Sequence, residues 1–336
     1  MIREAMCYDT HSDENVQCDL CAHHCLLAVG DTGRCRVRRN ERGKLMSMVY
    51  ADVSAVGLDP IEKKPLFHFL PGSETYSIAT LGCNFRCSFC QNAALSQAEN
   101  WDNGARRIMP AELVEEAVSS GTTSISYTYS EPTVFFEYAY DCGQLARRRG
   151  LKNIFVTNGF MGEASYPYLL EFLDAANIDL KSFREETYRT VMGGRLRPVL
   201  ENIRWFYANR IHLEVTTLLV PGLNDSENEI REMARFLVSV SPDIPWHISR
   251  FHPDYRMTDR PKTAPNALLR ARDIGREEGL AYVYTGNLDG AEATGHTECK
   301  SCGKRLITRV GYQSKVLMTK KGTCHSCGER LYGVFE

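Results

Sequence analysis

The stretch richest in potential chemistry is Cys83-Asn84-Phe85-Arg86-Cys87-Ser88-Phe89-Cys90, three cysteines spaced C-x3-C-x2-C. Three thiolates this close can wrap three irons of a [4Fe–4S] cube, because thiolate ligands suit iron–sulfur clusters. A cube has four irons, so one stays open unless a distant ligand arrives. The alternative is a zinc loop or three unrelated buried thiols. Context favours the cube: Tyr76 to Leu81 read as a short buried strand broken by Gly82. The thiols then leave the C-terminal end of a strand, where α/β folds place their chemistry.

Two further cysteine groups have ligand spacing. Cys18, Cys21, Cys25 and Cys35 lie within eighteen residues that also carry His23 and His24. Four such thiols can close a tetrahedral zinc site or hold a second, auxiliary iron–sulfur cluster. The nearby Arg34, Arg36, Arg38 and Arg39 are expected as a solvated face, with a docking patch as the alternative. Near the end, Cys299-x2-Cys302 and Cys324-x2-Cys327 form paired knuckles, the mark of a zinc ribbon or a rubredoxin-like iron site. Of the thirteen cysteines, Cys7 and Cys142 stand outside these groups, and Cys142 is expected as a buried helix residue.

Composition narrows the class. The 336 residues are 43% hydrophobic and 24% charged, enough for one large domain with small appendages. A net charge of −2 gives no global attraction to nucleic acid or to an anionic membrane. The N-terminus lacks the apolar run of a signal peptide and no stretch approaches a membrane span, so the expectation is a cytoplasmic protein. Thirteen cysteines in a long, unsignalled chain point to metal binding rather than disulfides.

These groups need elements to position them. From residue 75 the chain alternates strand-like and helix-like segments, the pattern of a parallel sheet with covering helices. Strands are expected near 76–81, 123–129, 153–157, 176–180, 211–219, 245–251 and 281–285, with helices near 111–120, 133–149, 163–173, 200–209, 226–239 and 265–278. Such a series closes partly as a (β/α)6 TIM-type barrel with function on the loops after each strand. The expected division is a Cys-rich region with connector over 1–74, a barrel over 75–290 and a ribbon over 291–336. Asp59 to Gly72, with three prolines, reads as an ordered loop; Lys63, Lys64 and His68 either line the mouth of the site or serve packing.

The loops after the strands carry polar residues in turn. Tyr127 to Thr133 include Ser130-Glu131-Pro132; then come Thr157-Asn158-Gly159, Asp179-Leu180-Lys181, Thr216-Thr217 with Pro221 to Asp225, and Arg250-Phe251-His252-Pro253. A polar set after nearly every strand is what a site at the top of a barrel requires.

The cysteine loop resembles that of the radical SAM superfamily. In that family the open iron chelates the amino and carboxylate groups of S-adenosylmethionine (SAM), and an electron delivered to the sulfonium breaks a carbon–sulfur bond to give a 5′-deoxyadenosyl radical. The resemblance implies that Cys83, Cys87 and Cys90 hold the cluster and that Phe89 offers an aromatic face beside the adenine. Cys83-x3-Cys87-x2-Cys90-Gln91-Asn92 is similar to the cluster loop of the glycyl-radical-enzyme (pyruvate formate-lyase) activating branch. Ser130-Glu131-Pro132 stands where that branch has a Gly-Gly-Glu-Pro turn, with Tyr129 and Ser130 in place of its glycines. By the same resemblance Asn92, Glu131, Asn158, Asp179, Lys181 and His252 are candidates for binding SAM. Activating enzymes often insert a ferredoxin-like module after this loop; here no cysteine lies between Cys90 and the second strand, so an auxiliary cluster would have to use Cys18 to Cys35.

Over essentially its whole length the chain is also similar to the radical SAM member of the AmmeMemoRadiSam system, through the N-terminal cysteines, Asp59-Pro-Ile-Glu-Lys-Lys-Pro-Leu, Tyr127-Thr-Tyr-Ser-Glu-Pro-Thr and the paired knuckles. That resemblance implies a Memo-like protein and a small second domain as partners, and the chemistry implies an external electron donor of flavodoxin or ferredoxin type. Three functions stay open. The radical attacks a protein or peptide, which predicts an open groove flanked by the cysteine-rich region or the ribbon. Or it modifies a small molecule or cofactor, with the mouth closed by residues 41–75. Or the chain is a non-catalytic metal protein that binds nucleic acid through the ribbon, where His296 to Glu336 hold eight Lys/Arg against three Asp/Glu. The third leaves the barrel-top residues without a role.

Overall fold

The computed structural model describes residues 1–99, 104–288 and 295–336. The strand expected before the cysteine loop is present as Glu74–Ala79 (β2), followed in sheet order by Ser124–Tyr127 (β3), Lys152–Thr157 (β4), Ala175–Asp179 (β5), His212–Leu219 (β6), Trp246–Arg250 (β7) and Val283–Gly286 (β8). All neighbours from β2 to β8 pair in parallel. Ile78, Ile125, Phe155, Ile178, Val215 and Ile248 are fully buried, as befits strands covered on both faces.

Six helices alternate with these strands: Pro110–Ser119 (α1), Phe136–Arg148 (α2), Tyr166–Phe172 (α3), Leu196–Ala208 (α4), Glu227–Val240 (α5) and Pro265–Glu277 (α6). Pro110 and Pro265 occupy the first turns of their helices, where a missing N–H costs nothing. Ser226 caps α5 by accepting from Glu229 N. Each helix turns a set at helical spacing inward, such as Ile230, Met233, Ala234 and Leu237 of α5. Among the described residues the sheet is open, its last strand β8 and its far edge lying at opposite ends of the order. It is the partial barrel that the alternation implies.

Two expectations are corrected, for the connector and the arginine run, and one alternative, for His68, is decided. The connector contributes a strand: Ala55–Pro60 (β1) runs antiparallel to β2 and forms the edge of the sheet. Its alternating exposure fits a half-covered edge, unlike the buried run of β2. His68 does not approach the mouth. It is buried below the sheet, where its ring meets the Tyr332 carbonyl at 2.8 Å and the Tyr284 hydroxyl at 2.7 Å. The arginine run is not uniformly solvated either: Arg38 is 2% exposed and donates to Glu137 Oε1 at 2.7 Å.

The N-terminal region folds as small antiparallel sheets, one of Tyr8–Thr10, Val16–Cys18 and Cys25–Leu27, another of Arg3–Glu4, Arg38–Glu41 and Lys44–Ser47. It packs into the same core as the barrel, with Leu20 and Val37 buried alongside Phe85 and Phe160. At the other end Thr297–Glu298 (β9), Arg305–Val310 (β10) and Gln313–Val316 (β11) make a three-stranded ribbon. The expected boundary at 290–291 lies outside the described residues.

Candidate active site

The cysteine loop begins where β2 ends. Gly82 has φ +102°, and a Cβ there would stand 2.8 Å from Val37 Cγ1 and 3.1 Å from the Cys35 carbonyl oxygen. Only glycine suits both the backbone and the close approach. The loop is then held from several sides. Arg86 N donates to the Met192 carbonyl at 2.7 Å, Arg256 N to the Ser88 carbonyl at 3.0 Å, and the His23 ring meets the Asn84 carbonyl at 2.7 Å.

Cys87 is buried, with Cys83 and Cys90 partly buried beside it on the same loop; desolvation pushes the Cys83 thiol well above the ordinary value and that of Cys87 up to about 12. Glu131 and the neighbouring thiols add to the rise at Cys83, whereas the Lys181 ammonium opposes it at Cys87. Thiols so placed ionise only against a strong local cation, which is what iron supplies. Polar hydrogens already point at the sulfurs: Phe85 N donates to Cys83 Sγ at 3.3 Å, and Cys90 Sγ lies 3.1 Å from Ser96 Oγ. The donor set fits a three-thiolate cluster site.

Residues from successive strands converge on this loop. Asn158, after β4, donates from Nδ2 to Asn84 Oδ1 at 2.7 Å and toward Cys83 Sγ at 3.7 Å. Glu131, after β3, is 3% exposed and accepts from Asn158 N at 2.8 Å, Thr157 Oγ1 at 2.7 Å, Thr133 Oγ1 at 2.6 Å and Thr133 N at 3.1 Å. Its carboxylate thus knots the loops after β3 and β4 together, and burial raises its pKa. After β5, Lys181 Nζ donates to Asp179 Oδ2 at 2.8 Å. Burial opposes the charge on Lys181, but Asp179 and then Cys87 hold its pKa above the ordinary lysine value.

Other expected residues sit farther out. His252 is exposed, its Nδ1 3.1 Å from Gln91 Nε2 at the end of the cysteine loop. Asn92 is exposed and caps the short helix Ala93–Ser96 through its carbonyl. Phe89 is 4% exposed and packs in the main core.

Sequence reasoning passed over Asn84, Thr133 and Tyr188. Tyr188 opens a π-helical turn, Tyr188–Met192, whose last carbonyl receives Arg86 N, and its hydroxyl accepts Lys181 N at 3.1 Å. Such turns recur at functional sites, but no residue pattern announces them. Tyr129 is a clearer case. It keeps φ +60°, the left-handed backbone that a glycine would favour, and is held there by its hydroxyl on Asp59 and by Lys64 Nζ 4.3 Å from its ring centre. Lys64 in turn donates to Asp59 Oδ2 at 2.6 Å. The Asp59–Lys64 stretch therefore buttresses the turn leading to Glu131.

The C-terminal knuckles converge more tightly. Cys299, Cys302, Cys324 and Cys327 place their sulfurs within 4.8 Å of one another, with 3.5 Å between Cys299 and Cys327 and 3.7 Å between Cys302 and Cys324. A tetrahedron with metal–sulfur bonds of about 2.3 Å has edges of about 3.8 Å, so one four-coordinate ion fits. The Ser326 backbone N–H, aided by that of Cys327, holds the Cys324 thiol down to about 7. No helix among the described residues is long and apolar enough to cross a membrane.

The family model of the radical SAM superfamily matches residues 77–237, from β2 through most of α5. An uncharacterized protein of Methanocaldococcus jannaschii is 40% identical over 333 residues, covering 98% of this chain and 99% of that protein. The pyruvate formate-lyase 1-activating enzyme of Escherichia coli K12 is 22% identical over 164 residues, 46% of this chain and 65% of the enzyme's own length. Among solved structures, SuiB of Streptococcus suis bound to S-adenosylmethionine aligns with a TM-score of 0.50 at 16% identity, over 69% of this chain and 56% of that one, a likeness of fold. With the cysteine loop at the end of β2 and the open parallel barrel that carries it, these matches make the chain a member of the radical SAM superfamily, an enzyme of that type.

Proposed function

We propose that this enzyme holds a [4Fe–4S] cluster on Cys83, Cys87 and Cys90, binds SAM beside it, and generates a radical that abstracts hydrogen from a protein or peptide. The observation that carries the reading is the convergence of Glu131, Asn158 and Lys181 on the three-cysteine loop, Asn158 and Glu131 beside Cys83 and Lys181 beside Cys87. A cluster so held would supply the electron that cleaves SAM to methionine and a 5′-deoxyadenosyl radical. The chain's own residues do the rest. Asn158 fixes the loop through Asn84 and Cys83, and Glu131 positions Asn158 rather than reaching outward, since both its oxygens are engaged. Lys181 places a cation beside Cys87, and with Asp179 offers a charged pair to the ionic groups of the SAM methionyl moiety. The buried walls exclude water from the reacting atoms.

The protein substrate is supported by relatives named pyruvate formate-lyase activating enzymes and isethionate sulfite-lyase activating enzyme, although the match spans 65–67% of the first and 59% of the second. The arrangement of the connector also supports it. A small-molecule enzyme with its mouth closed by residues 41–75 would need that segment over the loops, whereas Ile61, Leu66 and Phe69 pack against Ala175 at the start of β5 and Phe69 bridges to Val334. In this reading the electron comes from a flavodoxin- or ferredoxin-type donor, and a Memo-like protein is a candidate partner. The site is tested by anaerobic reconstitution with iron and sulfide, then incubation with SAM and dithionite. 5′-Deoxyadenosine should form with wild type and not with Cys87→Ala; equal formation by both would remove the loop from the chemistry. Deuterium transfer from a labelled protein into 5′-deoxyadenosine, against a labelled low-mass extract, decides the substrate class.

A further inference from the structure

Cys18, Cys21, Cys25 and Cys35 stand apart from this chemistry, and their geometry differs from that of the C-terminal knuckles. All four line one small hollow walled by Leu20, Leu27 and Val134. Among the described residues, the C-terminal quartet is the one group of three or more potential ligands whose donor atoms all lie within 4.8 Å of one another. A zinc ion about 2.3 Å from each sulfur draws four thiolates into mutual contact and leaves no hollow between them. Four thiols spaced around a cavity instead suit a polynuclear group.

A second observation points into the same hollow. Arg38 lines it and is 2% exposed; its Nη2 is taken by Glu137, but Nε and Nη1 are buried and have no hydrogen-bond partner. Two orphaned guanidinium nitrogens, carrying three N–H donors, are costly inside a protein unless an acceptor faces them. Sulfides and cysteinyl sulfurs of an anionic cluster are such acceptors, and N–H···S bonds are among the features that tune iron–sulfur centres. The Arg38 charge also lies close enough to Cys18 and Cys35 to interact with both.

We propose that Cys18, Cys21, Cys25 and Cys35 hold a second [4Fe–4S] cluster, with Arg38 donating to its sulfur atoms. The site is built against the catalytic loop. Val37 and the Cys35 carbonyl crowd Gly82, and Thr133, which also bonds Glu131, lines the hollow. The backbones of the two regions meet directly as well: Gly162 N donates to the Leu20 carbonyl at 2.9 Å, and a Cβ on Gly162 would collide with the Asp19 carbonyl.

The test counts iron, acid-labile sulfide and zinc per full-length chain purified anaerobically, for wild type, for the triple variant Cys83→Ser/Cys87→Ser/Cys90→Ser, and for Cys21→Ser/Cys25→Ser. The expected result is about eight irons in wild type and about four in each variant, with zinc unchanged throughout. The triple variant should keep a visible charge-transfer band that dithionite bleaches and an electron paramagnetic resonance signal after reduction. An iron-free triple variant whose extra zinc disappears in Cys21→Ser/Cys25→Ser would overturn the proposal. Because the triple variant leaves the N-terminal ligands untouched, it decides the matter even if Cys21→Ser/Cys25→Ser does not fold. Four irons in both wild type and triple variant would uphold this site while removing the cluster from Cys83, Cys87 and Cys90, so the two assignments fail separately.

Discussion

The side-chain amide of Asn158 donates to Asn84 Oδ1 at 2.7 Å, while its main-chain N–H donates to Glu131 Oε2 at 2.8 Å. One residue after β4 therefore ties the cysteine loop to the carboxylate that follows β3. In Asn158→Ala the Asn84 oxygen loses its buried donor, at a cost of about 1–3 kcal/mol. The rate of 5′-deoxyadenosine formation should fall about tenfold or more, with iron content retained. Adding Asn84→Ala should cost little further, because the two residues act as one unit. Full additivity in that cycle would contradict a shared role.

Glu131 receives four protein hydrogens. Glu131→Gln keeps the shape but turns one acceptor into a donor, setting N–H against either Asn158 N or the threonines. Breaking a charged, buried hub of this kind costs on the order of 2–4 kcal/mol. Thr157→Ala, which removes one donor and leaves a carboxylate with three, should cost about 1 kcal/mol. Thermal unfolding of the two variants checks the order, and the reverse ranking would mean that Glu131 faces a ligand rather than the loops.

Lys181 lies between Asp179 and Cys87. Lys181→Met removes the cation and leaves Asp179 without its partner near the thiols. The concentration of SAM needed for half-maximal cleavage should rise about tenfold or more, since a charge pair facing an ionic ligand is worth at least about 1.4 kcal/mol. Iron content should stay near wild type, because Met cannot replace any thiolate and removes none. A large loss of iron with unchanged SAM dependence would assign Lys181 to the cluster instead.

How far these relationships were legible depends on where they originate. The seven parallel strands and six helices follow from local patterns, buried runs such as Ser124–Tyr127 and helical spacing such as that of α5. β1 was not legible, because an edge strand with Gly57 and Pro60 looks like a loop until β2 pairs with it. The two-, three- and four-residue strands of the N-terminal region are too short to show any period. Arg38 is indistinguishable in sequence from Arg36 and Arg39; its burial is decided by Glu137, ninety-nine positions later. Glu131 was found as a motif, but which hydrogens it would accept depends on how the loops after β3 and β4 meet. The role of His68 stayed open between mouth and packing for a similar reason, since nothing local says that its neighbours would be Tyr284 and Tyr332.

His68 carries a pH dependence of stability. Burial, opposed in part by Glu214, lowers its pKa to about 3, against about 6.5 unfolded. A base that stays neutral in the fold contributes stability present above pH 6.5, and this is lost as pH falls from 6.5 toward 3, because the unfolded chain takes up the proton first. Glu214, which accepts from Phe67 N and His68 N and whose pKa is held low by His212 and His247 against its burial, acts in the same direction but only below about 4.5. Between pH 6.5 and 5 Glu214 does not contribute, but His23, which burial lowers to about 4, does, so the His68 part is read as the difference between His68→Gln and wild type. His68→Gln should be less stable than wild type at pH 7.5, and that gap should narrow on acidification by at most about 1.4 kcal/mol per pH unit. Denaturant midpoints at several pH values check it; a constant gap would mean that folding leaves the His68 pKa unshifted, and a widening one that His68 is held charged in the fold.

The ribbon lies at the opposite end of the sheet from the cysteine loop, which separates its four-cysteine site from that loop. Its tail docks on the first residues of the strands: Leu213 N donates to the Tyr332 hydroxyl at 3.0 Å, Tyr332 stacks on His212 with ring centres 5.0 Å apart, and Phe69 bridges to Val334. The functional loops leave the other ends of those strands, after Asp179 and Thr157. In Cys302→Ala the four-sulfur site loses a ligand, and a ribbon this small depends on its metal to fold. The variant should lose about one metal ion per chain and melt roughly 5–10 °C lower. At a temperature where the barrel remains folded it should still form 5′-deoxyadenosine at a rate close to wild type. Unchanged melting together with lost cleavage would reverse the assignment, for then the C-terminal metal would act on the reaction rather than brace the barrel from beneath.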